Sequence, residues 1–220
     1  MVWYAPKILN LFGAPELSNL TSCGAKELPA LPDYLSVAML NYISGVPSSP
    51  DPAVHHLDLA FLRRSHAAAE EYRLGRELLL RYVWGVASGS HFLGAYLSAL
   101  THFEQCLGAI WQAAELFERM RKKVQGDMST KMALYEKGQR SDLERINDLN
   151  NVAKHFNACQ AEETSTPIWI TNHGIKGTGG LELSFDELYD NVMALSEVAR
   201  VTFVEIPHEA AARKASGPKA

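Results

Sequence analysis

The chain has 220 residues, with 47% apolar and 21% charged side chains and a formal charge of −4. That is an ordinary globular balance, long enough for one domain with a sizeable core. The slight acidity excludes a protein whose main affinity comes from a broad basic surface, although not a local RNA site.

No secretory signal is expected, because Pro6, Lys7 and Pro15 interrupt the N-terminus before a long apolar stretch develops. No apolar run approaches a membrane span of about 18–20 residues. Cys23, Cys106 and Cys159 form no CxxC pair, so neither a disulfide framework nor a zinc site is expected. A reducing, cytoplasmic compartment is the simplest reading.

Residues 1–32 carry four prolines and little periodicity, and read as an irregular arm or cap. A short helix is predicted in PDYLSVAMLNYISG, from Pro32 to Gly45. After the break VPSSPDP, a long helix is predicted from Asp51 to about Val86. Gly75 should weaken its middle by about 1 kcal/mol relative to alanine. In the next segment Tyr96, Leu100, Phe103, Leu107, Ile110, Ala114 and Phe117 alternate spacings of four and three, the seam of a bundle helix.

Residues 124–140 are polar, with room for a short helix. Ser141 and Glu144 then form a capping-box pattern, opening a third long helix from Asp142 to about Gln160. Ala161–Thr166 reads as a linker. Two strand-like runs follow, PIWIT and GLELSF, separated by the loop-like NHGIKGTG, and predict a two-stranded hairpin. Ser184 or Asp186 caps a last helix with Leu188, Val192, Leu195, Ala199 and Ile206 on one face. Residues 208–220 read as a disordered tail. The expected fold is all-α: a four- to five-helix bundle over 33–207, with a small β-hairpin inserted before the last long helix.

One helix carries a pattern with chemical content. In SDLERINDLNNVAKHFNACQ, Ile146, Leu149, Val152, Ala153 and Phe156 share an apolar face. Asp148, Asn151 and His155 form a polar stripe beside it. A histidine there can exchange protons near neutral pH. Asn151 lies one turn before it, and Lys154 and Arg145 supply positive charge. The competing reading is an ordinary solvated face with a structural His155. His55, His56 and His66 show no ligand spacing for a metal. The run from His173 to Gly180 lacks the strand–loop–helix order of a phosphate loop.

Asn150-Asn151-Val152-Ala153-Lys154-His155 resembles a degenerate form of the HEPN-superfamily motif, an arginine, a polar residue and then a histidine. The predicted topology is similar to HEPN bundles. The resemblance implies a homodimer acting on or binding RNA, in a bacterial defence or toxin-type system. It is either a metal-independent endoribonuclease or a non-catalytic relative, and needs no cofactor. It implies catalytic roles for His155, Asn151 and Asn150, with Lys154, Arg145 and Asp148 as substrate contacts. His155 would act as general acid or base for attack by a 2′-hydroxyl. The sequence departs from the family pattern at Asn150, which stands where the arginine is expected. Arg145 is about 15 Å from His155 along a helix and projects close to the apolar face, where a buried structural partner is the alternative reading. Two alternatives stay open: a non-catalytic protein-interaction module, and a small-molecule-binding bundle with a pocket near His102, Trp111 and Trp169.

Overall fold

A computed structural model describes residues 17–45, 51–90, 92–127, 134–154 and 167–202. These residues form a helical bundle with a small antiparallel sheet before the last helix. The helices are α1 (Tyr34–Ile43), α2 (Pro52–Ala87), α3 (Leu93–Val124), α4 (Asp142–Lys154) and α5 (Phe185–Arg200). The strands are β1 (Ile168–Ile170), β2 (Gly174–Gly177) and β3 (Leu181–Ser184).

Local chemistry sets the helix starts. Asp33 caps α1 by accepting from the Ser36 amide at 3.0 Å, and Asp51 caps α2 by accepting from the Ala53 amide at 2.8 Å. Pro52 occupies the first turn of α2, where a missing N–H costs nothing. Ser184 and Glu187 complete a reciprocal capping box on α5. At α4 only half of the expected box forms. The Glu144 amide donates to Ser141 Oγ at 3.3 Å, but the Glu144 carboxylate turns to the amides of Gly138 and Arg140, both at 2.6 Å. That buried carboxylate pins the preceding loop to the helix end. Residues 134–141 form turns and bends, and the rest of the short helix expected in 124–140 lies at 128–133, outside the described residues.

The two longest helices, α2 and α3, run antiparallel. Their contacts progress in opposite directions: Phe61 with Phe117, Tyr72 with Phe103, and Tyr82 with Tyr96. The seam read from sequence is the core, with Leu100, Phe103, Leu107 and Ile110 buried and Phe117 partly so. Cys106 is a small buried hydrophobe, as expected. Its thiol donates to the Ala68 carbonyl, and burial pushes its pKa far up. Gly75 has a packing role: a Cβ there would lie 3.1 Å from the Phe103 ring.

The sheet corrects the hairpin prediction. PIWIT and GLELSF do not pair with each other. The strand order is β1-β2-β3, so the segment read as a loop supplies the middle strand. Ile168 pairs with Gly177, and Gly177 with Leu181. Glycine is what disguised this strand and what permits it. A Cβ on Gly174 would meet the Leu183 carbonyl oxygen at 2.1 Å, and one on Gly177 would meet Leu149 at 2.8 Å. Ile168, Ile170, Ile175 and Leu183 are fully buried, fixing the sheet to the bundle. The Ile170 amide also donates to the Tyr96 hydroxyl at 3.3 Å.

The N-terminal segment is irregular, as expected, but residues 17–32 belong to the same core. Leu17, Leu20, Ala25 and Leu28 are buried in it. Asn172 accepts from the Thr21 and Ser22 amides at 2.9 Å, and Tyr72 donates to the Lys26 carbonyl at 3.0 Å. The expected disordered tail lies outside the described residues. Among those described, no helix is long and apolar enough to cross a membrane.

Candidate functional site

Helix α4 distributes the predicted site residues over different surroundings. Asn150 points inward at α3, where Gly108 leaves room for it. It is 3% exposed, and a Cβ on Gly108 would come within 3.2 Å of its Oδ1. Lys154, one turn later, is exposed at the mouth of the same cleft. Asn151 points to solvent and donates to Asn147 Oδ1 at 3.3 Å. Asn147 in turn donates to the Tyr135 hydroxyl at 2.9 Å. Asp148 is half-buried, and desolvation, helped by Glu144 one turn away, raises its pKa. His155 lies outside the described residues.

Arg145 is engaged elsewhere. Its guanidinium donates to both Glu187 oxygens at 2.7 and 3.2 Å, to Asp142 at 2.7 Å and to the Glu182 carbonyl at 3.3 Å. The bond to Glu187 is the main reason its pKa is raised. Burial would lift the Glu187 carboxyl, but the bonds from Arg145 and Ser184 outweigh it and hold that carboxyl low. The predicted substrate contact is thus a clamp between α4, α5 and the end of β3, with its charge already matched.

Asn150 and Lys154 are the two predicted residues that the fold brings to one concave surface. A cavity of about 420 Å³ lies between α2, α3 and α4, lined by Arg64, Glu71, Glu104, Gln105, Gln112 and these two. One wall is organised. Glu71 Oε2 lies 2.6 Å from His102 Nδ1, and the Gln105 amide nitrogen donates to both Glu71 oxygens (2.9 and 3.1 Å) in the orientation that satisfies both groups. Glu104 is desolvated, which raises its pKa.

Sequence reasoning missed Arg64, Glu71, Glu104, Gln105 and Gln112. The usable signal was Glu104-Gly108-Gln112 at i, i+4 and i+8, a polar stripe with a glycine at its centre beside the core seam. His102, Trp111 and Trp169, read as bordering a possible small-molecule pocket, stand apart from this cavity. None of the three lines it, although His102 holds Glu71, which does. Trp111 packs edge-on against Tyr135. Among the described residues no three metal-ligating side chains cluster.

The fold and site define a helical bundle with a small sheet and a polar interhelical cleft. No family model, curated protein or solved structure matches the chain.

Proposed function

We propose that the protein is a HEPN-like helical bundle that binds RNA through the C-terminal half of α4. One observation carries the reading: Asn150 and Lys154, both within the motif-like segment, meet at a cleft of about 420 Å³ that also holds the cationic Arg64. Lys154 and Arg64 form no ion pair among the described residues, so their charge is available to a phosphate. In this reading His155, the next residue after Lys154, acts as general acid or base, and no metal is required. Asn150 replaces the motif arginine, which favours binding over fast cleavage.

The test uses the purified chain with end-labelled single-stranded RNA in EDTA. Binding should weaken with salt, and Lys154→Ala should reduce the log–log salt slope by about 0.7, one phosphate contact on a single strand. Any cleavage should vanish in His155→Ala. Absence of RNA binding at low ionic strength refutes the proposal.

A second reading, an interaction module that pairs with its own copy, rests on α1. Val37, Met39, Leu40, Tyr42 and Ile43 are all exposed there, with Ile43 at 77%. Contiguous apolar surface of this kind marks contact sites. Sedimentation should show a dimer that Leu40→Asp with Ile43→Asp converts to monomer. A monomeric unsubstituted chain at about 100 μM, well above the micromolar range of stable contacts, overturns it.

A further inference from the structure

We propose that the cleft between α2, α3 and α4 is a binding site for a zwitterion of dipeptide size, with Arg64 taking its carboxylate and Glu104 and Glu71 taking its ammonium. The inference does not depend on the RNA reading, but both use Arg64 and Asn150, so the two ligands would compete for the cleft. It rests on Asn150, Gln112, Arg64 and Glu104, which line the cleft and have no hydrogen-bond or ion-pair partner among the described residues, beside a Glu71 that His102 and Gln105 already hold in place.

Asn150 is the first of these. Its amide is not among the fully buried polar groups left without a partner, so it opens on the cleft rather than into the core. Asn150 is 3% exposed, faces the cleft, and makes no hydrogen bond among the described residues. Gln112, Arg64 and Glu104 line the same space and likewise have no hydrogen-bond or ion-pair partner among the described residues. A donor–acceptor amide, a cation and a half-buried carboxylate therefore converge on one volume without satisfying one another.

Their order along the cleft selects the ligand. Arg64 and Glu71 are seven residues apart on α2, about 10 Å along the axis and nearly in line around it. Because α3 is antiparallel, Gln112 lies toward the Arg64 end and Glu104 toward the Glu71 end. The cleft is thus cationic at one end and anionic at the other, with the Asn150 amide between, against Gly108. A polyanion filling the whole cleft would meet Glu71 and Glu104 as well as the cations, and a polyamine would meet Arg64 and Lys154. The charges of a free α-amino acid are too close together to reach both ends. An extended dipeptide spans about 7 Å, and the reach of the two side chains closes the remainder. The peptide group then falls beside Asn150, whose amide can accept its N–H and donate to its C=O. The volume of about 420 Å³ lies at the small-ligand end of binding pockets.

The experiment is calorimetric titration of the full chain with a panel of dipeptides bearing uncharged side chains, glycyl-glutamine among them. The panel includes their N-acetylated and C-amidated forms, with adenosine monophosphate and spermidine as controls. At least one free dipeptide should bind, and each cap should weaken it about 10-fold or more, as loss of a charge-assisted pair requires. Glu104→Gln should abolish the penalty for N-acetylation, and Arg64→Gln the penalty for amidation. Both positions are partly exposed, so circular dichroism should show both variants folded. No binding by any dipeptide at about 10 mM, binding indifferent to both caps, or preference for either control overturns the assignment. Titration of the same preparation with RNA reports separately on the RNA reading.

Discussion

Replacing Arg145 by methionine tests whether this residue is a clamp or a nucleic-acid contact. The guanidinium makes a bidentate pair with Glu187 and single bonds to Asp142 and the Glu182 carbonyl. A hydrogen bond to a charged group contributes about 1.5–3 kcal/mol net, whereas an exposed ion pair contributes about 0–1. The Arg145 and Glu187 side chains are 23% and 32% exposed, between those limits. Arg145→Met should therefore cost about 2 kcal/mol in urea unfolding, or a fall in Tm of about 4–8 °C for a chain of this size. A double-mutant cycle with Glu187→Gln should give a coupling of about 1–2 kcal/mol. Arg145→Lys should recover less than half, since an ammonium cannot reproduce the planar fork. The pH dependence has a definite sign. Glu187 has a lowered folded pKa, so its contribution is full above the unfolded carboxylate value and is lost as pH falls through the folded one. Arg145→Met should flatten that acid limb. RNA affinity, measured well below the variant's Tm, should not change. A cost under about 0.5 kcal/mol, the range of ordinary surface substitutions, or a loss of RNA affinity in the folded variant, refutes the clamp.

Four further outcomes follow from the packing and charge. Phe103→Ala should cost about 3–5 kcal/mol by chemical denaturation, because the ring is fully buried against Tyr72 and Phe185. Gly75→Ala should destabilise despite a helix-propensity gain of about 1 kcal/mol, because the added methyl presses on Phe103 at 3.1 Å and overpacking costs about 1–3 kcal/mol; a net stabilisation would show that the ring yields freely. Gly174→Ala should disrupt the sheet, measured as lost amide-exchange protection at Ile175 and Leu183, since the new Cβ collides with backbone. Asp148→Asn should stabilise by about 0.3–1 kcal/mol at neutral pH. Its folded pKa is raised, so the charge penalty is present in full above that value and disappears below the unfolded one, and the gain should vanish in acid.

The helices were legible in the sequence because their determinants are local. Asp33, Asp51 and Ser184 satisfy backbone donors within three residues of themselves, and the seam through Phe103 and Ile110 repeats at the helical period. The number, order and core face of the described helices follow from such signals. The site was legible only in part. The stripe drawn from Asp148 through Asn151 follows the helical period, but Asn150 faces the cleft, because Gly108 on another helix leaves the space that its side chain fills. Arg145, read either as positive charge for the site or as a structural partner near the apolar face, is matched by Glu187, a partner 42 residues away that the sequence did not identify. The middle strand escaped notice because Gly174 and Gly177 carry no side chain to mark it, and what makes them strand residues is the proximity of Leu183 and Leu149. Local pattern settles which segments coil and which face turns inward. Only the packed structure decides which polar groups find partners across the fold, because that depends on distances between residues far apart in sequence.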